Sequence, residues 1–209
     1  TISLSQNKTK KSLDYLGKIK SLGKAHSNYN IKFIRSLILL GKFEDAFTFV
    51  EDIRQKDAQL FEADLLLGLR AYIKNDYANA QIYFERLNNV SNSNFIFEDF
   101  FGNILVSWVK ASENNKIESF DFLNKIPKRY NKLKLIQESF LHCYFDSSKT
   151  EIFFEKIIGD EDRGFSRYNY FLVNYLLSKN EDIAAKLFMH EIGESHKSPL
   201  LIRQTNNFI

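Results

Sequence analysis

One cysteine, two prolines and eight glycines in 209 residues leave this chain little to staple, kink or loosen it. The lone Cys143 excludes an internal disulfide and any zinc site built from several thiolates. Its neighbours Phe140, Leu141, Tyr144 and Phe145 point to a buried thiol rather than a nucleophile. No stretch reaches the roughly 20 apolar residues that span a bilayer. Arg35 interrupts before Leu37 to Leu40, and Gly41 and Lys42 follow. The chain opens on Thr1 without an apolar signal core, so its start reads as processed or excised, and the compartment is left open.

Charge of one sign is also scarce. A net charge of +3 is too small to imply a polyanionic partner. The imbalance sits at the amino end, where Lys8, Lys10, Lys11, Lys18, Lys20 and Lys24 face the single acid Asp14. Such a run reads as a solvated segment. Residues 1–11 are therefore expected to form a flexible basic lead-in, with 12–209 a single helical domain.

Chemistry is missing as well. There is no Gly-rich phosphate loop, paired-His metal helix or nucleophile elbow. Adjacent His142 and Cys143 would point about 100° apart on a helix. His190 and His196 lie on either side of an expected helix end, and the acidic run Gly159 to Gly164 lacks the ligand spacing of a calcium loop. No catalytic residue, metal ligand or cofactor is expected, and the chain reads as something other than an enzyme.

What is present is periodicity. In Glu62 to Leu87, Leu65, Leu66, Leu67, Gly68, Ala71 and Tyr72 recur at helical spacing. Asn75-Asp76 breaks the run, and Tyr77, Ala80, Tyr83, Phe84 and Leu87 start a second stripe. This predicts a helical hairpin, closely approached at Gly68 and Ala80, with Tyr77 covering its end. Thirty-four residues upstream the pattern recurs: Phe43, Ala46, Val50 and Ile53 fall on Tyr77, Ala80, Phe84 and Leu87. One period further back Ser12, Leu16 and Ile19 take the slots of Ala46, Val50 and Ile53. The expected fold is all-α, an α-solenoid of five to six stacked antiparallel helix hairpins.

Leu67-Gly68, Tyr77, Ala80 and Phe84, at that 34-residue pitch, resemble the tetratricopeptide repeat family. Asp64 stands where the family's pattern has Trp, and Ala58 and Asn92 where it has a closing Pro. The run NYNIKFIRSLILLGKFEDAF followed by LLLGLRAYIKNDYANA is also similar to long repeat proteins of alphaproteobacteria that carry export signals. That resemblance favours the periplasm over the cytoplasm.

Taken in order, Ser12 to Ser21 reads as the second helix of a repeat whose first helix is absent or precedes the chain. Asn28 to Leu40 and Glu44 to Arg54 make the first full hairpin, closed by Gly41. After a polar loop at Asn88 to Asn94, Phe95 to Lys110 and Ile117 to Ile126 follow, Pro127 ending the pair. Phe120 falls in the slot of Ala80 but 40 residues on, a slip of about six. Lys128 to Phe145 and a short Thr150 to Ile158 come next, then Ser166 to Ser178 and Glu181 to Ile192. Ala185, 105 residues beyond Ala80, suggests one common pitch. Leu200 to Ile209 is an unpartnered apolar segment, either a cap or the start of another unit.

The resemblance implies a concave groove lined by first helices that holds a protein or peptide segment. By register, Asn28, Ile31, Arg35, Ile38 and Leu39 would line it in one repeat, and Glu62, Leu65, Leu69, Tyr72 and Ile73 in the next. Arg167, Tyr170, Asn174 and Leu177 would do so in the last. Trp108, the only tryptophan, is core or a partner anchor. The partner-binding residues are thus expected to be Arg35, Ile38, Leu69, Tyr72, Trp108, Arg167 and Asn174. The family's carboxylate clamp needs Asn where Lys32 and Leu66 stand, so a chaperone tail is not the expected ligand.

Two other readings remain open. The basic amino end and a pI near 8.8 suggest an RNA-binding helical repeat, against which Leu69 and Ile73 stand where base-reading polar residues belong. A half-repeat at each end suggests a structural segment of a longer envelope assembly protein.

Overall fold

The computed structural model describes residues 2–18, 27–54, 60–89, 99–158 and 167–195, and every regular element among them is helical. They belong to two compact units, Thr1–Lys125 and Ile126–Ile209. The first holds α1 (Ile2–Lys18), α2 (Ser27–Leu39), α3 (Phe43–Arg54), α4 (Phe61–Ile73), α5 (Tyr77–Arg86), α6 (Phe101–Ser112) and α7 (Lys116–Asn124). The second holds α8 (Asn131–Tyr144), α9 (Thr150–Ile158), α10 (Arg167–Ser178) and α11 (Asp182–Ser195). Within each unit every helix packs on its successor in sequence, and α2 also meets α4.

One turn recurs five times. Gly41, Asn75, Asn114, Asp146 and Asn180 adopt left-handed backbone with φ between 49° and 71°. Glycine, asparagine and aspartate are the residues that tolerate this region. Each closes its first helix with the same pair of bonds. At Asn75, for example, its N–H donates to the Tyr72 carbonyl at 2.9 Å and the Asp76 N–H donates to Ala71, also at 2.9 Å. The next residue often starts the following helix: the side chains of Asp76 and Asn115 accept from the amides of Asn79 at 3.3 Å and Glu118 at 3.2 Å. Tyr77 covers the turn as expected, its ring 5.7 Å from that of Tyr72.

The second helices share a buried stripe that follows from this turn. Ala46, Ala80, Ser119, Thr150 and Ala185 are fully buried just past it, and Val50, Phe84, Leu123 and Phe154 are buried one helical turn further on. Ser119, not Phe120, therefore occupies the slot of Ala80. The two neighbours both lie on α7, and only packing decides which of them turns inward. The even pitch is corrected too. The left-handed residues are 34 apart from Gly41 to Asn75, then 39 to Asn114, 32 to Asp146 and 34 to Asn180. The near-regular distance from Ala80 to Ala185 arises because a long spacing and a short one cancel.

Four more boundaries differ from expectation. The helix expected from Ser12 begins at Ile2 and takes in residues assigned to the lead-in. Helix α6 starts at Phe101 rather than Phe95, because Asp99, at φ 56°, cannot continue a helix through it. Extended Pro127 sets off a short 3-10 turn, Lys128–Tyr130, ahead of α8. Helix α11 runs three residues past Ile192, to Ser195. The expected loop residues 90–94, the helix start at 95–97, the acidic turn 159–164 and the segment 200–209 lie outside the described residues.

A polar residue is buried at one first-helix register position in four repeats: Asn30, Asp64, Asn103 and Asn169. Asp64 is the residue that stands where the repeat pattern has Trp. Its carboxylate receives the Arg86 Nε of α5 at 3.1 Å. Asn103 donates to the Asp99 carbonyl at 2.6 Å, tying the first turn of α6 to the left-handed residue before it. At Asp64 and Asn103 a short, bonded polar side chain fills the position, whereas the Asn30 Oδ1 and both amide atoms of Asn169 are buried without a hydrogen-bond partner.

Candidate functional site

The first helices α2, α4 and α6 lie side by side in the first unit, where besides shared core residues and the Phe61–Phe101 ring contact two polar bonds join them. Arg35 of α2 donates to the Glu62 carboxylate of α4 at 2.7 Å. The hydroxyls of Tyr72 on α4 and Ser112 on α6 share a hydrogen bond at 2.6 Å. Helical geometry sorts the rest. On α2, Tyr29, Phe33, Ile34 and Leu37 turn into a core shared with Val50, Ile53, Leu60 and Leu66, leaving Asn28, Lys32, Arg35 and Leu39 as an exposed stripe. On α4 the positions of Asn28, Arg35 and Leu39 are taken by Glu62, which is mostly covered, Leu69, 38% exposed, and Ile73, 76% exposed, while Leu66, in the slot of Lys32, is buried.

The expected partner-binding residues are therefore not equivalent. Arg35 is exposed, with Glu62 as its neighbour. Leu69 is open at its edge. Ile38 is half-buried against the α2–α3 core. Tyr72 is half-buried, packs on the core of Ala80, Phe84 and Val106, and is fixed by Ser112. Trp108 is half-buried on α6, at the register position of Arg35 and Leu69. In the second unit Asn174 is half-buried and spends its amide on the Tyr170 carbonyl of its own helix at 2.7 Å. Arg167 opens α10, and its side chain lies outside the described residues. The structure brings Arg35, Leu69 and Tyr72 onto one face. Leu39, already expected along the groove, is 68% exposed, and the structure adds Lys32, legible in the i, i+3, i+7 spacing of Lys32, Arg35 and Leu39.

Elsewhere the charges brace the fold. Arg70, on the other side of α4, holds Glu51 of α3 at 2.6 Å and lies 4.8 Å from the Phe47 ring centre. Lys110 contacts Glu113 at 2.9 Å and Glu118 at 3.4 Å. Burial lowers the Lys110 pKa, but hydrogen bonds and attraction to these two acids outweigh it and leave it above its ordinary value. Cys143 is half-buried, and burial pushes its thiol pKa up, away from the thiolate a nucleophile needs. Among the described residues no three histidine, cysteine or acidic side chains cluster as a metal would require, and no helix is long and apolar enough to cross a membrane.

No family model matches the sequence, and no curated protein matches it. The fold does have a relative among solved structures. YrrB, described as a TPR protein with an unusual peptide-binding site, superposes with a TM-score of 0.53 at 13% sequence identity, covering 90% of this chain and 97% of its own. Helical hairpins with one repeated turn, one repeated buried stripe and this likeness give the chain the fold of a tetratricopeptide-repeat protein.

Proposed function

We propose that the chain is a non-catalytic binding module that holds a protein or peptide segment against the face formed by α2, α4 and α6. The carrying observation is that Leu39, Leu69 and Ile73 stay open to solvent on helices whose other apolar residues are buried or half-buried against the cores. Exposed aliphatic side chains also stand on the second helices, at Ile82, Ile117, Ile183 and Leu187, so the reading rests on these three lying on first helices. The peptide-binding site of YrrB, on a chain of the same fold, supports the reading. An RNA reading fits less well, since stacking rings or paired polar groups would be needed where Leu69 and Ile73 stand.

Affinity capture from lysate tests this with Leu69→Glu/Ile73→Glu beside a control pair, Ile82→Glu/Ile117→Glu, exposed on α5 and α7. The α4 pair is expected to lose a partner that the control pair retains, with unfolding curves unchanged in both. Equal capture by the two pairs would overturn the assignment. Arg35 and Tyr72 are less suitable probes, because Tyr72 also holds α4 to α6 through Ser112.

A further inference from the structure

Building on the face assigned above, we propose that the segment it holds is acidic and amphipathic, with aliphatic side chains along one side and carboxylates beside them. Two observations on α2 and α4 set this chemistry. The first is the open aliphatic set Leu39, Leu69 and Ile73, which asks for apolar anchors. The second is the charge around it. Helix α2 carries Lys32 and Arg35 and no acid, and Lys74 follows directly on Ile73. The acids of α4 are both engaged: Glu62 meets Arg35, and Asp64 is buried against Arg86. Helix α6 has no acid. Lys32 and Lys74 are exposed and meet no carboxylate among the described residues.

Lys32 and Leu39 share one stripe with the Arg35–Glu62 pair between them, so an incoming carboxylate would meet Lys32 with an apolar side chain resting on Leu39. Arg35 keeps Glu62 neutralised, so the ligand carboxylate meets no free acid on this stripe. A basic segment would instead place its charges against Lys32 and Lys74 with no free acid to receive them.

The probe is a labelled peptide of about 16 residues, roughly 24 Å as a helix. It carries Leu at i, i+4, i+7 and i+11 and Glu elsewhere, and is compared with its Lys counterpart by fluorescence anisotropy on the whole chain. The Glu peptide is expected to bind at least tenfold tighter at about 50 mM salt, with the gap narrowing at about 300 mM. Lys32→Glu/Lys74→Glu should weaken it at least tenfold and Leu69→Glu/Ile73→Glu should abolish it, both variants melting as the parent does. If the Lys peptide binds as well and is lost only with the Leu69/Ile73 pair, the face stands and the acidic assignment is overturned. Should the peptide survive both pairs, the face itself is wrong. Binding of neither peptide, or an anionic vesicle bound through the lysines alone, also overturns the proposal.

Discussion

In the α4–α5 hairpin, Gly68 lies under the ring of Phe84, so close that an added Cβ would sit 2.6 Å from the ring's Cδ1. In the α6–α7 hairpin the matching position is Ser107, whose hydroxyl faces that of Ser119 at 3.5 Å, both wholly buried. The first hairpin is closed by bulk against a bare backbone, the second by two small side chains with a long polar contact between them. Their buried polar residues differ likewise: Asp64 is held by an ion pair to α5, Asn103 by a bond to the residue before its own helix. Yet the turns at Asn75 and Asn114 make the same bonds with the same left-handed backbone. The hairpin is specified by its turn and its inward stripe, and the chemistry where the helices cross is free to vary within that frame.

The largest test of this equivalence is to empty the same slot in both hairpins. Phe84→Ala should cost about 3–5 kcal/mol and Leu123→Ala about 2–5 kcal/mol, read by urea denaturation. A loss below about 1 kcal/mol at Leu123 would break the comparison. Next comes the ion pair peculiar to α4–α5. Arg86→Ala takes the guanidinium away from the buried Asp64 carboxylate and should cost about 2 kcal/mol, below the roughly 3–5 typical of a fully buried pair, because a third of Arg86 stays in water. Replacing both partners, Asp64→Leu with Arg86→Met, should recover most of that loss.

The boundary between the two hairpins is sharpened by Gly102→Ala. Its Cβ would sit 2.6 Å from the Phe84 carbonyl oxygen, so the backbones of α5 and α6 must part, at about 1–3 kcal/mol. The bridge across the face is weaker. Tyr72→Phe and Ser112→Ala should each cost about 1 kcal/mol, and the double variant no more than either alone, since one shared hydrogen bond is removed in all three. Smallest is the turn itself. Asn75→Ala and Asn114→Ala should each cost about 1 kcal/mol of left-handed strain, while Gly at either position is nearly neutral. Unequal costs would show that the two turns are not one device.

Much of the site was legible because it depends on angle around a helix. The register implied by the family resemblance puts Arg35 and Leu69 on the open side of their helices, and both are exposed. Tyr72 and Asn174 sit at similar angles but are engaged, Tyr72 by a serine forty residues away in sequence and Asn174 by its own backbone. No local pattern reports such a partner. Lys32 departs from the carboxylate clamp, and its spacing to Arg35 and Leu39 carries its place on the stripe.

The sequence by itself determined the hairpins, the breaks at Gly41 and Asn75-Asp76, and the 34-residue register from Ser27 through Leu87, since these rest on side-chain periodicity and backbone tolerance a few residues apart. Only the tertiary structure decided the rest. It chose Ser119 over Phe120 as the inward residue, showed that unequal spacings of 39 and 32 residues lie behind an apparently regular array, and found Arg86 for Asp64 and Ser112 for Tyr72. Each depends on what a neighbouring helix presents, and a helix's own periodicity fixes which way a side chain points without fixing what it meets.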